Sequence, residues 1–97
     1  GGNITGYSDI RLKTNIDLIP DALDKVCSLR GVTYDRIDLN ARHTGLIAQE
    51  VQEVLPEAVS DSGEYLSVAY GNMMGLMVEY YLLDYYTNLE LLEIQHL

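Results

Sequence analysis

From Met73 to Leu97 the chain contains no proline and one glycine, Gly75, a stretch that backbone preferences make helical, with Asn72 placed to cap it. One apolar line along that helix runs Val78, Leu82, Tyr85, Leu89 and Leu92, the alternating steps of four and three that a coiled-coil seam needs. A second runs Met73, Leu76, Tyr80 and Leu83, then loses its character at Thr87 and Glu90. A chain of 97 residues builds one modest core, so two apolar faces on a single terminal helix exceed what it covers alone. The expectation is a helix at 72–97 that packs against further copies of the chain. The plainer alternative is a core helix folded back onto the strands.

The remaining segments predict a small α+β domain of short strands and helices. Gly1 to Tyr7 is glycine-rich and turn-like, and the opening Gly1-Gly2-Asn3, without a Met, reads as a boundary inside a longer protein. Ile10 and Leu12 alternate with Arg11 and Lys13, which predicts a short strand over Asp9–Lys13. Pro20, Asp21 and Asp24 suit a helix's first turn, Leu23, Val26, Cys27 and Arg30 keep helical spacing, and Gly31 suits a left-handed C-cap. A helix over Pro20–Arg30 follows. Val32–Ile37 is β-rich and ends at the polar Asn40-Ala41-Arg42-His43, so a strand is expected there. Ile47, Val51, Val54 and Leu55 form the stripe of a helix that Pro56 stops, and Tyr65–Tyr70 after the turn cluster Ser60–Glu64 reads as a strand.

Charge is unevenly placed. The formal charge is −9, and all six Lys and Arg lie at or before Arg42. Such a chain repels nucleic acid and anionic membranes, and no apolar run approaches the ~20 residues of a membrane helix, so neither is an expected partner. Cys27 is the one cysteine, excludes an internal disulfide, and sits in an apolar helical pattern that predicts a buried structural thiol. There are eight Tyr and no Phe or Trp, and Tyr80, Tyr81, Tyr85 and Tyr86 all fall on the terminal helix.

Few residues can carry chemistry. His43 and His96 are far apart and Cys27 is alone, so no metal-ligand spacing exists, and no metal or other cofactor is expected. His43, beside Arg42 and Thr44 in a polar loop, is a possible accessory group but more simply a solvated one. Gly71–Gly75 lacks the Lys of a phosphate loop, and Glu50, Glu53 and Glu57 fit a solvated helix face better than a catalytic pair. Ser8 and Lys13 remain: a serine hydroxyl attacks a carbonyl when a base takes its proton, and a neutral lysine can be that base. Residues five apart lie on opposite faces of a strand and about 140° apart on a helix, so contact needs a turn between them or a neighbouring protomer. Asp9 and Asp17 lie nearby and favour the cationic amine. By spacing alone the two side chains read as solvated.

Three strings alter that balance. Ser8-Asp9-Ile10-Arg11-Leu12-Lys13-Thr14-Asn15-Ile16, then Gly45-Leu46-Ile47-Ala48-Gln49-Glu50-Val51-Gln52 with Leu55-Pro56-Glu57-Ala58-Val59, then Leu66-Ser67-Val68-Ala69-Tyr70 closely resemble the peptidase S74 family. Its members are intramolecular chaperone domains at the C-termini of bacteriophage tailspikes, tail fibres and neck appendages, typified by endosialidases. A eukaryotic membrane-bound transcription factor family carries a similar module. The resemblance spans about Ser8 to Val78.

It implies a domain at 8–97 that trimerises through 72–97, helps its own upstream stalk to fold, and then releases itself. Carried onto this chain, the cut falls between Tyr7 and Ser8, with Ser8 as nucleophile and Lys13 as base, and residues 1–7 are the end of the stalk. The implied setting is a phage structural protein precursor made in the host cytoplasm, its fibre kept in the virion. One departure stands out. Terminal helices of the family resemble coiled coils of alternating Lys and Glu, whereas Glu79–Tyr86 has no basic residue and much tyrosine. A rival reading is therefore a trimerisation or partner-binding module that never cuts.

Overall fold

The computed structural model describes residues 5–95. Its elements, in order, are a 3-10 turn at Ile10–Leu12, helix α1 (Ala22–Cys27), strands β1 (Val32–Arg36) and β2 (Ala41–Gly45), and helix α2 (Ala48–Val54). A second 3-10 turn (Pro56–Ala58), β3 (Val59–Ser60), β4 (Ser67–Val68), a third 3-10 turn (Tyr70–Asn72) and the long helix α3 (Met73–Gln95) follow. The α+β class is as expected, with short strands and a long terminal helix.

Several boundaries move, each for a local reason. The strand expected over Asp9–Lys13 is a turn, because Asp9 caps it by accepting the Arg11 amide at 2.8 Å and among the described residues no strand pairs with it. Helix α1 begins after Pro20 and stops at Cys27 rather than Arg30: the Ser28 amide closes on the carbonyls of Asp24 and Lys25, and its hydroxyl also donates to Lys25 at 2.8 Å. Gly31 is not left-handed; among the described residues the positive φ values belong to Asn15, Asp21 and Asn40. Ala22 and Val26 turn inward, which leaves Cys27 exposed rather than buried.

The polar run after Ile37, expected to end a strand, instead starts one. Residues 37–40 turn the chain, with Asn40 at φ 48° and its amide bonded to the Arg36 carbonyl at 2.9 Å, and β2 returns antiparallel in the register Arg36 to Ala41 and Val32 to Gly45. Asn tolerates the left-handed conformation that such a turn needs. The strand expected over Tyr65–Tyr70 shrinks to Ser67–Val68, since its partner supplies only Val59 and Ser60.

Ala22, Val51, Leu55, Ala58, Met73 and Leu76 form the buried core, with Ile19, Val26, Leu29, Leu46, Val54, Val59 and Val68 packed around it. Helix α1 lies on the first turns of α3, and α2 with the β3–β4 ladder closes the other side. Gly45 makes a close junction possible: a Cβ there would meet the Tyr70 hydroxyl at 2.7 Å, and that hydroxyl accepts the Leu46 amide at 3.1 Å. Arg30 reaches Glu50 on α2 with bonds of 3.2 and 2.5 Å, tying the exit of α1 to the second helix.

Beyond Met77 the helix leaves this core, and none of residues 78–95 is buried. The chain exposes 8360 Å², where a compact protein of its mass exposes roughly 5,600 Å². Its radius of gyration is 17.1 Å, against about 13 Å for a compact chain of this length.

Candidate active site

After Ser8 the chain is folded over by the first 3-10 turn, Ile10–Leu12. Asp9 begins it at φ −65°, ψ 136°; the Leu12 amide donates to the Asp9 carbonyl at 3.0 Å and the Lys13 amide to that of Ile10 at 3.1 Å. Lys13 then leaves in extended conformation at φ −124°, ψ 142°. This is the intervening turn that contact between residues five apart requires. Lys13 Nζ lies 2.8 Å from Ser8 Oγ.

The turn has no buried residue and is held by its cap. Besides accepting the Arg11 amide, the Asp9 carboxylate receives the guanidinium of the same residue, Nε at 3.1 Å to each oxygen and Nη2 at 2.8 Å to Oδ2. These bonds draw the Asp9 carboxyl below its usual range and hold the Arg11 guanidinium more firmly protonated. All four arginines are so engaged: Arg30 with Glu50, Arg36 with Asp38, Arg42 with Asp35. Among the described residues, Lys13 instead pairs with a hydroxyl.

His43 stands apart from this pair. It lies on β2, not in a loop, opposite Tyr34, with ring centroids 6.4 Å apart and planes inclined by 25°. Among the described residues no hydrogen bond links it to Ser8 or Lys13, so its visible role is a cross-strand ring contact. Tyr7, the residue before Ser8, is fully exposed. His96 and residues 1–4 lie outside the described residues, as does most of the expected stalk end at 1–7.

An apolar groove of 710 Å³ runs between α1, the β1–β2 hairpin and the start of α3, with Val26, Leu29, Leu46, Tyr70, Met73 and Met77 on its walls. Neither Ser8 nor Lys13 lines it. Sequence reasoning found the hydroxyl and the amine but missed the Asp9–Arg11 bracket around them. The signal was available: an aspartate before a short apolar-polar run is a capping residue, and an arginine two positions on is within its reach.

Fold and site together define a small α+β module whose Ser8–Lys13 side-chain contact lies on an open surface at its N-terminal side. Residues 8–60 match the peptidase S74 family, described as the chaperone of endosialidase, and the chain belongs to that family. It is 40% identical over 87 residues, 79% of its length, to the long tail fiber protein Gp37 of Enterobacteria phage K3, and equally to that of phage T2. It is also 42% identical over 84 residues, 74% of its length, to myelin regulatory factor homolog 1 of Caenorhabditis elegans. The matched stretch is 7%, 6% and 9% of those three proteins respectively, so the chain corresponds to one small module of much longer polypeptides.

Proposed function

We propose that this module is an intramolecular chaperone that brings three copies of a phage fibre chain together, assists folding of the stalk preceding it, and then cuts itself free between Tyr7 and Ser8. The observation that carries the cutting step is the 2.8 Å approach of Lys13 Nζ to Ser8 Oγ, immediately after the bond to be cut. Lys13, as a neutral amine, takes the hydroxyl proton while Oγ attacks the Tyr7 carbonyl carbon. The Tyr7–Ser8 C–N bond breaks, the proton passes to the freed Ser8 nitrogen, and water hydrolyses the Tyr7–Oγ ester to a carboxylate and the hydroxyl. One turnover per chain needs no substrate pocket.

Association has separate support. The line Val78, Leu82, Tyr85, Leu89 and Leu92 is 37 to 59% exposed, although its spacing is that of a helix seam. Covering it reduces the excess surface noted above. Holding three stalk ends in register then lowers the entropic cost of starting an intertwined β-structure. The two steps are coupled: an amine acts as a base only when neutral, burial favours that form, and the isolated chain leaves Ser8 and Lys13 exposed. A neighbouring copy would supply the cover, so cutting follows assembly.

The test is the mass of the products when the full-length protein is made. The expected result is two fragments, the smaller starting at Ser8, and a single uncut chain for Ser8→Ala and for Lys13→Ala. Cleavage of Ser8→Ala at the parent rate rejects the nucleophile. An uncut parent that still forms trimers would leave the non-cutting assembly module as the correct reading, and the Tyr-rich acidic face of α3 as its working surface.

A further inference from the structure

We propose that Asp9 and Arg11 are positioning residues for the Ser8–Lys13 pair, Asp9 by folding the turn that carries Lys13 back to Ser8, and Arg11 by neutralising the Asp9 carboxylate, which lies four residues before the amine. This rests on the cutting reaction described above and adds to it a requirement that the Ser8–Lys13 pair by itself does not state.

Residues 5–18 are exposed throughout, so the usual means of holding a segment, burial of its apolar side chains, is absent there. Ile10 and Leu12 point into solvent. What remains is local: two backbone bonds of 3.0 and 3.1 Å, the Asp9 cap on the Arg11 amide, and the forked guanidinium–carboxylate pair. A single turn closed by two backbone bonds is marginal in water unless its end is capped. Without it, residues five apart in an extended chain stand too far apart for contact.

The same carboxylate poses an electrostatic problem. A negative charge one turn from an amine favours the ammonium, which cannot accept the Ser8 proton. Arg11 answers this with two points of attachment, so that the Asp9–Arg11 unit is close to neutral. The other titratable groups of the segment are Tyr7 and Asp17, and among the described residues no side-chain hydrogen bond or ion pair reaches the turn from another element. Cap and counter-charge are thus separable: Asn at position 9 keeps an acceptor for the turn but removes the charge, and Gln at position 11 leaves the charge unbalanced.

The experiment follows cleavage of the full-length protein against pH for the parent, Asp9→Ala, Asp9→Asn and Arg11→Gln, and in parallel measures the NMR through-space contact between the Lys13 and Ser8 side chains in the 97-residue chain. Loss of the cap in Asp9→Ala should slow cleavage about fivefold and weaken the contact, while Asp9→Asn restores both. The pH profile should move up by about half a unit in Arg11→Gln and down by a similar amount in Asp9→Asn. A purely structural role predicts slower cleavage with an unmoved profile. Profiles that stay together, or that shift in one direction, overturn the counter-charge; an undiminished contact in Asp9→Ala overturns the turn. If cleavage proves independent of Ser8, it is the cutting reaction that fails, and the NMR contact still decides whether Asp9 holds the turn.

Discussion

Residues 19–77 and the two segments flanking them obey different rules. The middle closes on itself: α1, α2, the β3–β4 ladder and the first turns of α3 share one core, and Leu76 and Val51 at its centre are fully buried. The flanks do not. Residues 5–18 and 78–95 contain no buried side chain, yet they carry Ser8, Lys13 and the five-residue apolar seam. The domain therefore supplies stability in one place and leaves the parts proposed to act held only locally, by a capped turn or by helix hydrogen bonds. Such parts respond to a neighbour, which the core does not need.

The division breaks most visibly if core and seam are treated alike. Leu76→Ala removes a side chain with no exposure and should cost about 3 kcal/mol, much of what a domain this small possesses. Thermal or urea unfolding of Leu76→Ala should show that loss at every protein concentration. Leu82→Glu with Leu89→Glu should leave the dilute monomer's unfolding near that of the parent and abolish association in sedimentation. If both changes instead depend on concentration in the same way, the core is not self-sufficient and the comparison fails. Because cutting is proposed to follow assembly, the double variant should also leave the Tyr7–Ser8 bond intact.

A smaller effect tests how the middle is joined. Gly45→Ala puts a Cβ within 2.7 Å of the Tyr70 hydroxyl, so the ring must shift and the Leu46 amide loses its acceptor. The expected cost is about 1–2 kcal/mol in unfolding free energy. Tyr70→Phe in the same background should recover part of it by removing the clashing oxygen. No loss in Gly45→Ala would mean that Tyr70 swings freely and the hydrogen bond it accepts from the Leu46 amide contributes nothing.

The two regions also differ in how far the sequence discloses them. Where side chains have a partner within the chain, periodicity finds the element: Val51, Val54 and Leu55 mark α2, and Pro56 ends it. Where the partner decides, periodicity misleads. Tyr65–Tyr70 has strand character throughout, yet only two residues pair because the facing strand offers two. Ala41–Gly45 has little apolar patterning and becomes a strand because β1 lies opposite. At Asp9–Lys13 the alternation of Ile10 and Leu12 points to a strand, and a single capping carboxylate outweighs it. The contact of Ser8 with Lys13 was thus not legible from spacing; the motif string suggested it, and the turn accounts for it. The apolar line on α3 was legible as spacing, and among the described residues nothing buries it.

The smallest expected effect concerns charge on that seam's helix. Glu79, Asp84, Glu90 and Glu93 lie on α3 with no basic residue among them, so bringing copies together crowds like charges. Raising salt from about 0.1 to 1 M shortens the screening length from about 10 to 3 Å, and association measured by sedimentation should tighten severalfold. Acid acts instead on the ion pairs of the middle and of the capped turn before it. Glu50, Asp38 and Asp9 have folded pKa values lowered by hydrogen bonds from Arg30, Arg36 and Arg11 respectively. A lowered folded value means stability that is present above the unfolded pKa and is lost as the pH falls through the folded one. These pairs are exposed, so the loss is slight and sets in only below the unfolded values, 4.5 for Glu50 and 3.8 for the two aspartates. Monomer stability should accordingly stay level from pH 7 to about 5, with the fold weakening only at lower pH. Association that weakens with salt would instead mean that ionic pairs hold the copies together, drawn from the basic residues before Arg42, and would move the contact surface from α3 toward the front of the chain.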